Sequence, residues 1–250
     1  MRKEKFVPEE YYHIYNRTIA NYSVFNNELN AKRLLQAFLF ANSTRSSEAF
    51  QVLRSNNSTP PTSDVGDGSS SINKAIEIIK GGEKLVDLLC YAIMPDHYHL
   101  LIKERKENGI INFVHKCDIS ISKYINIKTN RRGPLFESRF KSKHVDSNDY
   151  LVHLSAYIHL NPLDIIKGKE WREHKMDNWH EIRKPLLAFP WSSLKFFLGE
   201  ENGNDFNSII SGQEIITNQF KNSGEYEDHL KSWATNSNTE LNNFSEDNFD

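Results

Sequence analysis

The stretch KLVDLLCYAIMPDHYHLLIK, residues 84–103, decides the fold. Two apolar runs of strand length flank Pro95-Asp96, and such a step between two runs marks the turn of an antiparallel hairpin. Side chains alternate across a strand, so on the second arm His97 and His99 share one face while Tyr98, Leu100 and Ile102 share the other. Two imidazoles side by side suit a metal clamp or a nucleic-acid contact. They also suit the solvated side of a one-sided sheet.

Working outward from the hairpin, YYHIYNR (Tyr11–Arg17) alternates as a strand, and ELNAKRLLQAFLFAN (28–42) sets Leu34, Leu35, Phe38 and Leu39 at helical spacing. After the hairpin, a stripe of Ile110, Phe113, Val114 and Cys117, continued by Ile121 and Tyr124, predicts a helix from Asn108 to near Asn130, ended by Gly133-Pro134. SKHVD then reads as extended, and SNDYLVHLSAYIHL (147–160) as a helix stopped by Asn161-Pro162. The order β-α-β-β-α-β predicts an α+β, ferredoxin-like antiparallel sheet with helices on one face, an open second face and the histidines on a central strand. FPWSSLKFFLG, anchored by Pro190, Trp191 and Phe196, continues into a C-terminal helical extension.

Residues 1–200 thus form one domain, interrupted at 43–83 by a partly disordered insertion. Its centre, SNNSTPPTSDVGDGSSS (55–71), has almost nothing to bury. The acidic, Asn-rich residues 201–250 are expected to be a mobile tail, with a marginal helix within 213–235.

A net charge of −2 over 250 residues hides an uneven distribution. Ten acids against Lys221 and Lys231 give the tail −8, which leaves +6 for residues 1–200. Within SKYINIKTNRRGPLFESRFKSK, Lys123, Lys128, Arg131, Arg132, Arg139, Lys141 and Lys143 face only Glu137, with Tyr124, Phe136 and Phe140 interleaved. Cations for phosphates and aromatic faces for unpaired bases are what single-stranded nucleic acid requires. The longest apolar run is too short and too charged to span a bilayer, and Cys90 and Cys117 form no Cys-x-x-Cys pair. A cytoplasmic, nucleoid-associated protein with no membrane partner is expected.

Five stretches in order, YYHIYNR, IMPDHYHLLIK, SISKYINIKTNRRGPLFESRFKSKHV, DYLVHLSAYIHLNPL and FPWSS, resemble the REP-associated tyrosine transposases, a branch of the single-tyrosine HUH transposases of bacterial insertion sequences. The likeness runs from about Tyr11 to Gly199, outside the insertion. It implies a metal-dependent endonuclease and strand transferase acting on single-stranded or hairpin DNA through a 5′-phosphotyrosine. By that likeness His97 and His99 hold a divalent cation, Mg²⁺ or Mn²⁺, and Tyr124 matches the helix-borne nucleophile; were Tyr124→Phe still to cleave, Tyr150 or Tyr157 would be next to test.

Many relatives carry a Gln ligand four residues after the nucleophile. Here that position is Lys128, so Asp96, Asn126 or water is left to complete the shell. Arg131, Arg132, Arg139, Lys141 and Lys143 are the DNA-contact candidates. The likeness leaves open a homodimer or a monomer. It also leaves open a domesticated hairpin-binding regulator that does not cut, or an HUH replication initiator or relaxase.

Overall fold

The computed structural model describes residues 5–55, 68–172, 178–200 and 207–235. Its centre is a four-stranded antiparallel sheet of β1 (Tyr11–Arg17), β2 (Val86–Ile93), β3 (His97–Glu104) and β4 (Lys141–Val145), in the order β2-β3-β1-β4. Helix α1 (Glu28–Ala41) follows β1, and α4 (Gly109–Lys128) joins β3 to β4, giving the expected β-α-β-β-α-β unit. The β2-β3 hairpin closes with Met94 N donating to His97 O at 2.8 Å. Asn27 caps α1 by accepting from Asn30 N. Gly109 is required where α4 begins, because a Cβ there would lie 2.3 Å from the Leu85 carbonyl oxygen.

Tyr98, Leu100 and Ile102 face α1 and α4 and pack with Leu34, Leu35, Phe38, Phe113 and Cys117. The second face departs from the expectation of openness. Leu89, Cys90 and Leu101 are fully buried there, beneath α5 (Asn148–Leu160) and the segments after it. These are α6 (Leu163–Ile166), a 3-10 turn (Lys169–Arg172), α7 (Trp179–Ala188) and α8 (Leu194–Phe197). The physical reason is the apolar content of α5, whose Leu151, Leu154, Tyr157 and Ile158 need a surface to cover. The Trp191–Ser193 segment docks on β2, with Ile93 N donating to Trp191 O and Ser193 N to Tyr91 O.

The periphery adds packed helices on both sides of the expected insertion and within the tail. The flanks of the insertion are ordered helices, α2 (Ser46–Ser55) and α3 (Gly68–Lys80), joined through Phe40, Ala49 and Ala75. Residues 56–67, the centre of the expected disordered stretch, lie outside the described residues. Beyond residue 206 the chain also packs, through α9 (Glu214–Thr217) and α10 (Ser223–Thr235). Tyr226, Leu230 and Trp233, spaced by four and three residues, form one helical stripe buried against the α5 face. The tail residues 201–206 and 236–250 lie outside the described residues.

Candidate functional site

β3 projects His97 and His99 toward α5, and antiparallel pairing brings β1 alongside, with Arg17 opposite His97 and Tyr15 opposite His99. The two imidazoles stand edge to face with centroids 5.0 Å apart. Each is oriented through Nδ1, which meets Asp96 Oδ1 at 2.7 Å in His97 and His13 Nε2 at 2.9 Å in His99. Such second contacts fix which nitrogen of a histidine faces a ligand. Burial drives the His13 imidazole down to about 3, helped by Lys143. Burial likewise holds His99 well below its ordinary value and lowers His97, against the opposing pull of Asp96. All three rings are therefore neutral at physiological pH, the form in which imidazole binds metals.

Helix α5 supplies the group that faces them. The Tyr157 ring stands edge-on to His99 at 5.5 Å and to His13 at 6.1 Å. Burial raises the Tyr157 phenol, while Arg172 and a bond from Asn161 pull it back. Asn161 lies one turn beyond Tyr157 and accepts from Arg172 Nη2 at 3.3 Å. The Arg172 guanidinium sits 5.2 Å over the Tyr157 ring and is held by Asp164.

Tyr124 lies elsewhere. It projects from α4 on the opposite face of the sheet, half-buried against the α1 side, with Arg33 at 5.8 Å and Lys128 at 5.6 Å from its ring. Lys128 turns toward Asn27 and Asn30, at 3.1 and 2.8 Å. The structure therefore brings His97 and His99 together but separates Tyr124 from them by the thickness of the sheet. The reason is the α4 register, in which the stripe that buries Cys117 and Ile121 carries Tyr124 with it on the face opposite the histidines.

The supporting candidates divide in the same way. Asn126 spends its amide on Gly133 O and Arg131, across the sheet from the histidines, whereas Asp96 touches His97. Among the described residues no group of three His, Cys, Asp or Glu side chains is placed to hold a metal ion. The donor set near the histidines is two neutral imidazoles, which fits a divalent cation whose remaining ligands are oxygens from water or substrate. Lys141 and Lys143 lie on β4 opposite Tyr15 and His13, on the histidine side. Arg131 is tied to Asn126 and Pro134 O, and Arg132 and Arg139 are exposed on the loop before β4.

Reading the sequence missed His13, Asn161 and Arg172 as site residues and named Tyr157 only as a fallback nucleophile. For all but Arg172 a signal existed. His13 shares the alternation of Tyr15 and Arg17, and Tyr157 and Asn161 stand one helical turn apart beside a histidine strand.

The model of the family described as "Transposase IS200 like" matches residues 68–161, which include His97, His99, Tyr124 and Tyr157. The chain resembles IS200-like transposases over this span. No curated protein matches the chain. Among solved structures, one described as "Structure of the REP associates tyrosine transposase bound to a REP hairpin" is similar, at 11% identity and a TM-score of 0.43, over 82% of this chain and 92% of that one. No helix among the described residues is long and apolar enough to cross a membrane.

Proposed function

We propose that this protein is a single-strand DNA endonuclease and strand transferase acting at hairpin-bearing ends, with Tyr157 rather than Tyr124 as its nucleophile. The observation that carries the reading is the 5.5 Å approach of the Tyr157 ring to His99 on the face that also holds His97. The likeness of residues 68–161 to a transposase family supports the reaction class.

In the reaction, the Tyr157 hydroxyl oxygen bonds to the scissile phosphorus and the bond from phosphorus to the 3′ oxygen breaks. The 3′ oxygen leaves as a hydroxyl, taking up a proton, and the 5′ phosphate stays on the tyrosine. A later 3′ hydroxyl reverses the step and joins a new end, and no external energy source is needed because one phosphodiester is exchanged for another.

His97 and His99 would hold a divalent cation, Mg²⁺ or Mn²⁺, through the nitrogens turned away from Asp96 and His13. When bound, that cation supplies positive charge to the phosphate oxygens. Asp96 and His13 orient the two rings, and Lys141 and Lys143 offer charge along β4 for the DNA backbone.

One observation favours a second reading. Tyr157 is only 2% exposed and His99 fully buried, so the site is closed by α5. A regulator that binds hairpins without cutting would keep this arrangement shut. Incubation with the single-stranded flanks of its own gene, Mn²⁺ and a denaturing gel separates the two. A covalent protein–DNA adduct supports the transferase, and binding without any adduct supports the regulator.

A further inference from the structure

Arg172 sits on the 3-10 turn after α6 with only 10% of its side chain exposed. Asp164 grips it in two-pronged fashion, accepting from Nε at 2.9 Å and from Nη2 at 3.0 Å. Nη2 also reaches Asn161. Asp164 is itself fixed by Trp171 Nε1 at 2.6 Å, so the guanidinium cannot swing without breaking three contacts. Its remaining donor, Nη1, is buried with no acceptor among the described residues. Buried guanidinium N–H groups normally find an oxygen, so a donor left over beside a reactive side chain points to a ligand that supplies one. The guanidinium lies over Tyr157, and its charge also reaches His99, whose depressed basicity is due first to burial, then to His97 and His13, and then to Arg172.

We propose that Arg172 Nη1 donates to one non-bridging oxygen of the scissile phosphate, making Arg172 a catalytic residue and the Asp164–Trp171 pair its positioning support. The inference rests on Tyr157 being the nucleophile. When the bond from Tyr157 to phosphorus forms and the bond to the 3′ oxygen breaks, negative charge accumulates on the non-bridging oxygens. A fixed N–H aimed at one of them stabilises that state more than the ground state. Arg172 exchanges no proton, since a guanidinium stays charged throughout. Because Asp164 balances its charge, Arg172 adds little long-range attraction for DNA. Its effect therefore falls on kcat and scarcely on binding.

The test compares wild type with Asp164→Asn/Arg172→Gln, which removes the pair together and strands no buried acid, and with Arg172→Lys, which keeps charge but loses the fork. Each is given single-stranded hairpin DNA from the gene's own flanks with either a normal scissile phosphate or one of the two methylphosphonate isomers. A hairpin-binding assay and thermal melting run alongside. The double variant is expected to lose about 100-fold in kcat with less than about threefold change in DNA affinity, and Arg172→Lys to fall between.

In wild type each isomer lowers the rate. In the double variant the penalty of one isomer collapses toward one, because the donor that read that oxygen is gone, while the penalty of the other persists. Unchanged penalties for both isomers in variants that still form the Tyr157 adduct overturn the role of Arg172 and leave the nucleophile assignment standing. Absence of any wild-type adduct overturns the nucleophile assignment, and the role of Arg172 falls with it.

Discussion

On the side covered by α1 and α4, β3 contributes Tyr98, Leu100 and Ile102 to an apolar core. Asp118 is half-buried there, joined to the Tyr98 hydroxyl at 2.8 Å and the Asn16 amide at 2.9 Å. On the side covered by α5, the same strand contributes His97 and His99, and the surrounding layer adds His13, Tyr157, His159 and Arg172. Both sides are covered by helices, yet the first is chiefly apolar and the second gathers imidazoles, a phenol and a guanidinium. The difference teaches that burial here is no guide to role. Tyr124, half-exposed on the first side, stands beside Arg33 and Lys128, whereas Tyr157, buried on the second, stands beside His13, His99 and Arg172.

The largest effect that sharpens this contrast is catalytic. His97→Ala is expected to lower cleavage of single-stranded hairpin DNA by about 100-fold or more while the protein still melts cooperatively, because the proposed cation would lose one of its two imidazole ligands. A rate within about twofold of wild type in a labelled-strand assay contradicts the clamp.

Core truncation comes next. Leu35→Ala under α1 and Trp233→Ala under α10 should each destabilise by about 2–5 kcal/mol, read by chemical denaturation. The contrast to break is whether α10 belongs to the second core. A Trp233→Ala variant as stable as wild type would show that it does not.

Much of this architecture was legible in the sequence, and what was not has physical causes. The β2-β3 hairpin, β1, α1, α4, β4 and α5 were readable because each carries a clean period of two or of about three and a half and ends at Pro95-Asp96, Gly133-Pro134 or Asn161-Pro162. The closed second face was not readable. Alternation on β3 shows which residues share a side, and His97 and His99 look alike on a solvated face and under a helix. Tyr124 stands on a basic, aromatic helix that resembles the family's nucleophile helix. Its stripe, however, contains Cys117 and Ile121, which pack on the side of Tyr98, and that alone puts it across the sheet from His97. Helix α10 falls within the marginal helix expected for 213–235, but its packing was obscured by the acidic, Asn-rich composition around it, although Tyr226, Leu230 and Trp233 already stood at helical spacing.

A smaller effect concerns pH, where the two sides should respond in opposite directions. Burial raises Asp118 from an ordinary 3.8 to about 7, against the pull of its bonds to Tyr98 and Asn16. The folded state therefore binds this proton more tightly than the unfolded one. The resulting stability is fully present below about 3.8 and is lost as pH rises through about 7. His159, bonded to Tyr226 and Ser193, is lowered by burial from 6.5 to about 3. Its contribution is present above 6.5 and is lost as pH falls toward 3. Asp118→Asn should flatten the arm over which melting temperature falls as pH rises from about 3.8 to 7, and His159→Gln the arm over which it falls as pH drops from 6.5 toward 3. If either substitution flattens the other arm, the assignment of these groups is wrong.

The smallest effect belongs at the periphery. Replacing residues 57–66 with a short Gly/Ser linker should change stability by less than about 1 kcal/mol, since the cost of closing a loop varies slowly with length. It should leave cleavage unaltered, because α2 and α3 pair through Ala49 and Ala75 beside Phe40 of α1, the helix on the face of the sheet opposite the histidines. A loss of cleavage in the shortened protein would tie this segment to the site.

The central claim, that the reactive tyrosine lies on the α5 side of the sheet, is tested most directly by mapping the covalent adduct. Wild type, Tyr157→Phe and Tyr124→Phe are each incubated with single-stranded hairpin DNA from the gene's own flanks and Mn²⁺, then digested, and the nucleotide-bearing peptide is identified by mass spectrometry. The expected result is an adduct on the peptide containing Tyr157 in wild type and in Tyr124→Phe, and none in Tyr157→Phe, which still binds the hairpin. An adduct on Tyr124 that persists in Tyr157→Phe would contradict the account.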